Sequence, residues 1–212
     1  KTLTGDGNTA VGHTSMSAAT TGSWNTALGE RSLSANTEGE NNTGLGHQAL
    51  EQNTTGHSNT AVGSNTLFTN LTGTHNVAMG YSALLNSTTS HNTALGYNAL
   101  YATTNGSHNV AVGSNSLVDN TTGYYNVAVG PTALKANVGG IYNVGVGFNA
   151  VRENTAGAGN VGIGSTTIYV QSLRPLFDDN EEGFTGADLN LNIVDELSYK
   201  DDAKRGVNGK IS

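Results

Sequence analysis

The chain has 212 residues and no cysteine. Disulfide staples, thiolate metal ligands and thiol nucleophiles are thereby excluded together. Charge is sparse. Only nine residues are Lys or Arg, and four of them precede residue 170: Lys1, Arg31, Lys135 and Arg152. Binding to nucleic-acid phosphates needs clustered basic side chains, so no nucleic-acid partner is expected. No apolar run approaches the roughly 18–20 residues of a membrane span, so no membrane insertion is expected either. No signal peptide is visible, and a start at Lys1 rather than Met reads as a fragment or a mature product. Apolar residues make up only 35%. Such a share suits disorder when it comes with high net charge, but here the net charge is −7 and the apolar residues sit at fixed places.

What the chain has is glycine and a period. An Asn recurs at Asn8, Asn25, Asn42, Asn59, Asn76, Asn92, Asn109, Asn126, Asn143 and Asn160, every 17 residues except for one step of 16 between Asn76 and Asn92. Four residues after each stands a Gly: Gly12, Gly29, Gly46, Gly63, Gly80, Gly96, Gly113, Gly130, Gly147 and Gly164. A fixed short period with a fixed core is the mark of a solenoid in which each repeat is one coil. Two helices and their turns do not fit in 17 residues, and two Gly per repeat would each cost about 1 kcal/mol inside helices.

With the Asn as position 0, position 1 is Thr or Val, position 2 is Ala or Gly, and position 3 is aliphatic or Met. Positions 1 to 3 read as a short strand. Positions 1 and 3 share one face, and the opposite face is restricted to small side chains, so the coil wall or another chain must approach it. Gly at position 4 suits a turn with φ > 0, Asn at position 0 tolerates one, and its amide can bond to the coil above or below. The segment Gly-x-x-Ala-Leu turns the corner and inserts a Leu at position 8. Positions 10 to 16, with a second Gly near 14, read as the exposed loop. The short coil should lose its residue there, around Asn86–Ser90, leaving the strands in line. A coil this thin buries little, so the remaining burial is expected from identical neighbouring chains, as a homotrimer. The expected architecture is an all-β parallel solenoid of about ten coils over 8–168, rising roughly 4.8 Å per coil and about 45–50 Å in all. Residues 1–7 are a lead-in, and 169–212 an acidic cap or connector.

Asn126-Val-Ala-Val-Gly130 and Asn59-Thr-Ala-Val-Gly63 resemble the head motif of trimeric autotransporter adhesins of the YadA type, whose heads are trimers of left-handed parallel β-rolls. Those coils are nearer 14 residues, so this one carries a longer loop. The longer unit Asn92-Thr-Ala-Leu-Gly-Tyr-Asn-Ala-Leu-Tyr101 is more similar to phage tail-fibre-type proteins that carry a C-terminal intramolecular chaperone of the peptidase S74 class. The resemblance covers residues 8 to about 168. It implies a left-handed roll, a homotrimer, a location in the virion or alternatively on the bacterial surface, and partners among other fibre or virion proteins and host cell-surface glycans or proteins. Chaperones of that class release themselves after a Ser, and the chain ends at Ser212.

After Gly164 the pattern stops and the composition turns acidic. Asp178, Asp179, Glu181 and Glu182 could offer oxygen ligands to Ca²⁺ but lack the spacing of an EF-hand, and a solvated turn is the simpler reading. The repeat region holds seven carboxylates, Asp6, Glu30, Glu38, Glu40, Glu51, Asp119 and Glu153, none in a repeated register. A glycan-cleaving spike would need a carboxylate pair. No catalytic residue, cofactor site or metal site is therefore assigned, and a non-enzymatic attachment fibre is the expectation. His75, His91 and His108 each precede a repeated Asn, with Tyr125 and Tyr142 after them and Trp24 before. The column could bind a metal, but a ladder of stacked rings is the plainer reading. The candidate receptor contacts are Tyr81, Tyr97, Tyr101, His108, Tyr124, Tyr125 and Tyr142, whose planar rings suit sugar faces. A Thr column at Thr9, Thr26, Thr43 and Thr60 raises ice binding, but it turns to Val at Val77 and lies on a strand expected to be buried.

Overall fold

The computed structural model describes residues 4–18 and 21–166. Ten three-residue strands follow one another: β1 Thr9–Val11, β2 Thr26–Leu28, β3 Thr43–Leu45, β4 Thr60–Val62, β5 Val77–Met79, β6 Thr93–Leu95, β7 Val110–Val112, β8 Val127–Val129, β9 Val144–Val146 and β10 Val161–Ile163. They form one parallel sheet in sequence order, which makes a β-solenoid of about nine turns with no helix among the described residues. The register is one-to-one, as in Thr26↔Thr43, Ala27↔Gly44 and Leu28↔Leu45. It holds across the short coil, where Val77 pairs with Thr93 and Met79 with Leu95. Thr89, 13 residues after Asn76, takes the place that Gly has elsewhere, so the residue is lost beside exposed Thr88, within the expected loop. The expected cap at 169–212, its acidic cluster and Ser212 lie outside the described residues.

The interior is a column of Leu33, Leu50, Leu67, Leu84, Leu100, Leu117 and Leu134, all fully buried, with Met16 and Val151 at its ends. The position-2 residues wall it in on one side, and the small residues at position 7 lie beside it. Where position 2 is Gly44, Ser32 stands at position 7 of the preceding coil, and its hydroxyl fills the space a Cβ would take. The small face thus serves the chain's own core. Of the two expected approaches to that face, the coil wall or another chain, the structure shows the coil wall. Positions 1 and 3 point outward instead, from half-buried to exposed. The expectation that the Thr column is buried is thereby corrected.

Two further corrections concern the backbone and the loop. Asn at position 0 does not have positive φ. The non-glycine residues that do lie at positions −1, 6 and 8, for example Tyr125 (φ 56), Gln48 (φ 58) and Leu50 (φ 54). Each would cost about 1–2 kcal/mol if nothing compensated it. The compensation is geometric, because the left-handed residue turns its N–H along the solenoid axis. Tyr125 N–H donates to the Ser107 carbonyl, Gln48 N–H to that of Glu30, and Leu50 N–H to that of Thr66, each on an adjacent coil. The stretch from 10 to 16 is also not wholly exposed. Position 11 is a buried polar column, Asn36, Asn53, Asn70, Ser87, Thr103, Asn120 and Asn137, and the Gly at position 14 is buried with it.

Candidate functional site

The conserved chemistry of the repeat is a network of amides inside each coil. Asn42 N–H donates to Asn25 Oδ1 at 2.9 Å, and Asn42 Nδ2 donates to the Gly56 carbonyl at 2.7 Å. The same carbonyl accepts Asn53 Nδ2 at 3.0 Å, and Asn53 Nδ2 also reaches Asn36 Oδ1 on the preceding coil at 2.8 Å. Two Asn ladders are thereby tied together by one glycine carbonyl per coil. Buried amides are tolerated only when paired in this way. The second ladder breaks where Ser87 and Thr103 replace Asn. There Asn70 Oδ1 and Thr103 Oγ1 are buried without a partner. Thr89 patches the gap in part, its hydroxyl donating to the Gly106 carbonyl and accepting Asn92 Nδ2. This network is structural, since its amides are spent on each other and on the backbone.

Surface chemistry lies elsewhere, on two faces. The first is a column of rings at position −1. His75 and His91 stack with centroids 5.1 Å apart, His91 and His108 at 4.7 Å, His108 and Tyr125 at 4.9 Å, and Tyr125 and Tyr142 at 5.2 Å. Tyr124 stands edge-on to both Tyr125 and Tyr142. Tyr81 and Tyr97 stack at 5.7 Å in a second column at position 5. All seven candidate receptor contacts are exposed, and the structure brings six of them into these two groups. Tyr101 makes no ring contact in either. Stacking has a consequence for recognition: rings inside the column cover each other's faces and present edges and hydroxyls outward. Trp24 lies on the same register, 61% exposed, over Gly7.

The second face is the outward side of the sheet. Val11, Leu28, Val77, Met79, Val129, Val161 and Ile163 are exposed there in two parallel columns. Sequence reasoning missed this face, although alternation along a three-residue strand carries the signal: once position 2 points inward, positions 1 and 3 must point out.

Among the described residues the carboxylates do not assemble. Glu51 is the one buried carboxylate among the described residues, and Arg31 holds its Oε1 at 2.5 Å. Glu30 approaches His13 at 4.0 Å, and Glu153 approaches Arg152 at 3.4 Å. Comparison with protein families, with curated proteins and with solved structures finds no match to this chain.

Proposed function

We propose that the chain is a non-enzymatic attachment fibre of the phage tail-fibre kind, a homotrimer whose surface rings contact a host cell-surface glycan. The observation that carries the reading is the division between interior and surface. Over ten coils the Asn at position 0 and the Gly at position 4 never change and position 8 stays aliphatic or Met, while positions 5 and −1 range over His, Tyr, Trp, Phe, Glu, Asn, Gly, Ser and Pro. A rigid scaffold with freely varied outward positions suits binding by many weak contacts, and three chains would multiply them. The exposed apolar strand face supports assembly with further copies. A head domain of a bacterial adhesin would share these features, and the sequence flanking the solenoid distinguishes the two.

Binding of the assembled protein to an array of bacterial surface glycans tests the reading. The variant to compare carries Tyr81, Tyr97, Tyr101 and Tyr124 as Ala, and His108, Tyr125 and Tyr142 as Asn, because position −1 needs a residue that tolerates positive φ. Loss of glycan binding with the assembly intact is the expected result. Undiminished binding would remove these seven residues as the contact surface.

A further inference from the structure

Four of the six histidines form one contiguous group on the solenoid surface. His75, His91 and His108 occupy position −1 on three successive coils, with rings nearly parallel between the first two (7°) and tilted by 18° between the next. His57, one position earlier on the preceding coil, meets His75 edge-on at 5.2 Å and 84°. Three of the four rings have the same nitrogen engaged. His75 Nδ1 lies 3.1 Å from Thr74 Oγ1, His108 Nδ1 lies 3.1 Å from Ser107 Oγ, and His57 Nδ1 lies 3.5 Å from Ser58 Oγ. A hydroxyl on one ring nitrogen fixes the ring and leaves the other nitrogen, Nε2, as the free ligand, which is how metal-binding imidazoles are commonly held.

We propose that His57, His75, His91 and His108 bind a divalent d-block cation of the Cu²⁺ or Zn²⁺ class through Nε2 atoms of neighbouring coils. Imidazole nitrogen selects these ions over Mg²⁺ and Ca²⁺, which take oxygen. Among the described residues no three ligating side chains already converge on one point. The site is a set of neighbouring pairs that closes on the ion. Two nitrogens about 2.0–2.1 Å from one ion sit roughly 3.3 Å apart at an open angle. Rings stacked at 4.7–5.1 Å reach that spacing by tilting their outer ends together about the inner Nδ1 contacts, and the outer ends are exposed. The 34° tilt between His108 and Tyr125 shows that the column accommodates such a tilt. The location also gives the ion a role. The column runs across the short coil, where Ser87 and Thr103 interrupt the second amide ladder. An ion bridging successive histidines ties together the coils that lack those rungs.

Copper(II) titration of the full chain tests this, read by electron paramagnetic resonance below one equivalent and by calorimetry. The decisive variant is His75→Asn/His91→Asn, which removes every neighbouring pair and keeps residues that tolerate positive φ, as Asn41 does in the same column. Circular dichroism confirms that it folds. His57→Asn/His108→Asn leaves the His75–His91 pair intact and serves as the second variant. Expected are a nitrogen pattern from at least two imidazoles in the native protein, its retention in the His57/His108 variant, and first-site affinity roughly tenfold or more weaker in the His75/His91 variant. Copper should also raise the melting temperature of the native protein and not that of the His75/His91 variant. Equal affinity and an unchanged spectrum in the His75/His91 variant, or oxygen ligands alone in the native protein, would overturn the proposal.

Discussion

The glycine at position 4 is fixed for two separate reasons. At Gly113 φ is +133°, and a Cβ would stand 2.6 Å from the carbonyl carbon of Gly130 on the next coil. Gly159 shares only a positive φ, at +68°, and has nothing within 4 Å of a Cβ. Gly113→Ala should therefore cost on the order of 3 kcal/mol and Gly159→Ala about 1 kcal/mol, read from urea unfolding midpoints. Equal costs would mean that the backbone conformation matters and the close approach of coils does not. The amides are fixed by a different balance. Asn109 Oδ1 accepts both the N–H and the Nδ2 of Asn126, and Asn109 Nδ2 donates to the Gly123 carbonyl. Asn109→Ala leaves the buried Asn126 N–H without a partner, at about 1–3 kcal/mol, and takes one bond each from Asn126 Nδ2 and the Gly123 carbonyl, which keep Gly140 and Asn120. We expect a loss of about 3 kcal/mol or more, well beyond the cost of the deleted side-chain volume.

At the scale of the coil, the break in the second ladder invites repair. Thr103 sits in a coil of full length, buried, with its hydroxyl unpartnered. Thr103→Asn restores the residue found at Asn53 and Asn120, whose Nδ2 donates to the Gly three residues on. Its carbonyl would also face Asn120. The substitution should stabilise the protein by about 1 kcal/mol in thermal or urea unfolding, and destabilisation would show that the short coil below dictates Thr here. By contrast, Ala111→Leu fills a fully buried wall position and should cost about 1–3 kcal/mol through overpacking. These elements differ in how far they could be read from the residues. The strands, their register, the inserted Leu column and the site of the lost residue follow from the Asn and Gly period, because each depends on one coil repeating the last. The second ladder was legible too, since Asn36, Asn53 and Asn70 recur at the same 17-residue step. It was masked by the polar, turn-forming residues around it, which read as loop. The left-handed backbone at Leu50 and Tyr125 was not legible, because neither residue type favours it and only hydrogen bonds between coils make it worth adopting. Of the candidate binding surface, the ring column at position −1 was legible from spacing alone. The inclusion of His57 was not, since it stands one position out of register and joins only through the packed geometry.

At the scale of the whole molecule, the question is what covers the outward strand face. Each coil's interior holds one large apolar side chain, mostly Leu, with two small residues and, in most coils, two Asn, so much of the apolar content of the repeat is carried by positions 1 and 3 and remains outside. Contiguous exposed apolar columns of this kind mark surfaces that associate. Identical chains offer the matching period, so that one copy's steps of about 4.8 Å fall in register with another's along the full sheet. Val112 and Val129 lie on consecutive strands near the middle of this face, both pointing away from the Leu column. Replacing both with Lys should leave each coil's interior undisturbed while placing like charges where copies would meet, an arrangement that costs several kcal/mol across an interface. We expect the native protein to sediment as a trimer and Val112→Lys/Val129→Lys as a monomer with an unchanged circular dichroism spectrum. Melting of the double variant should also begin at lower temperature, because the interface then no longer adds to the thin core. A native protein that sediments as a stable monomer would remove the trimer. The apolar strand face would then be a solvent-exposed surface in its own right, with the ring columns, among the described residues, as the remaining candidates for contact with a partner.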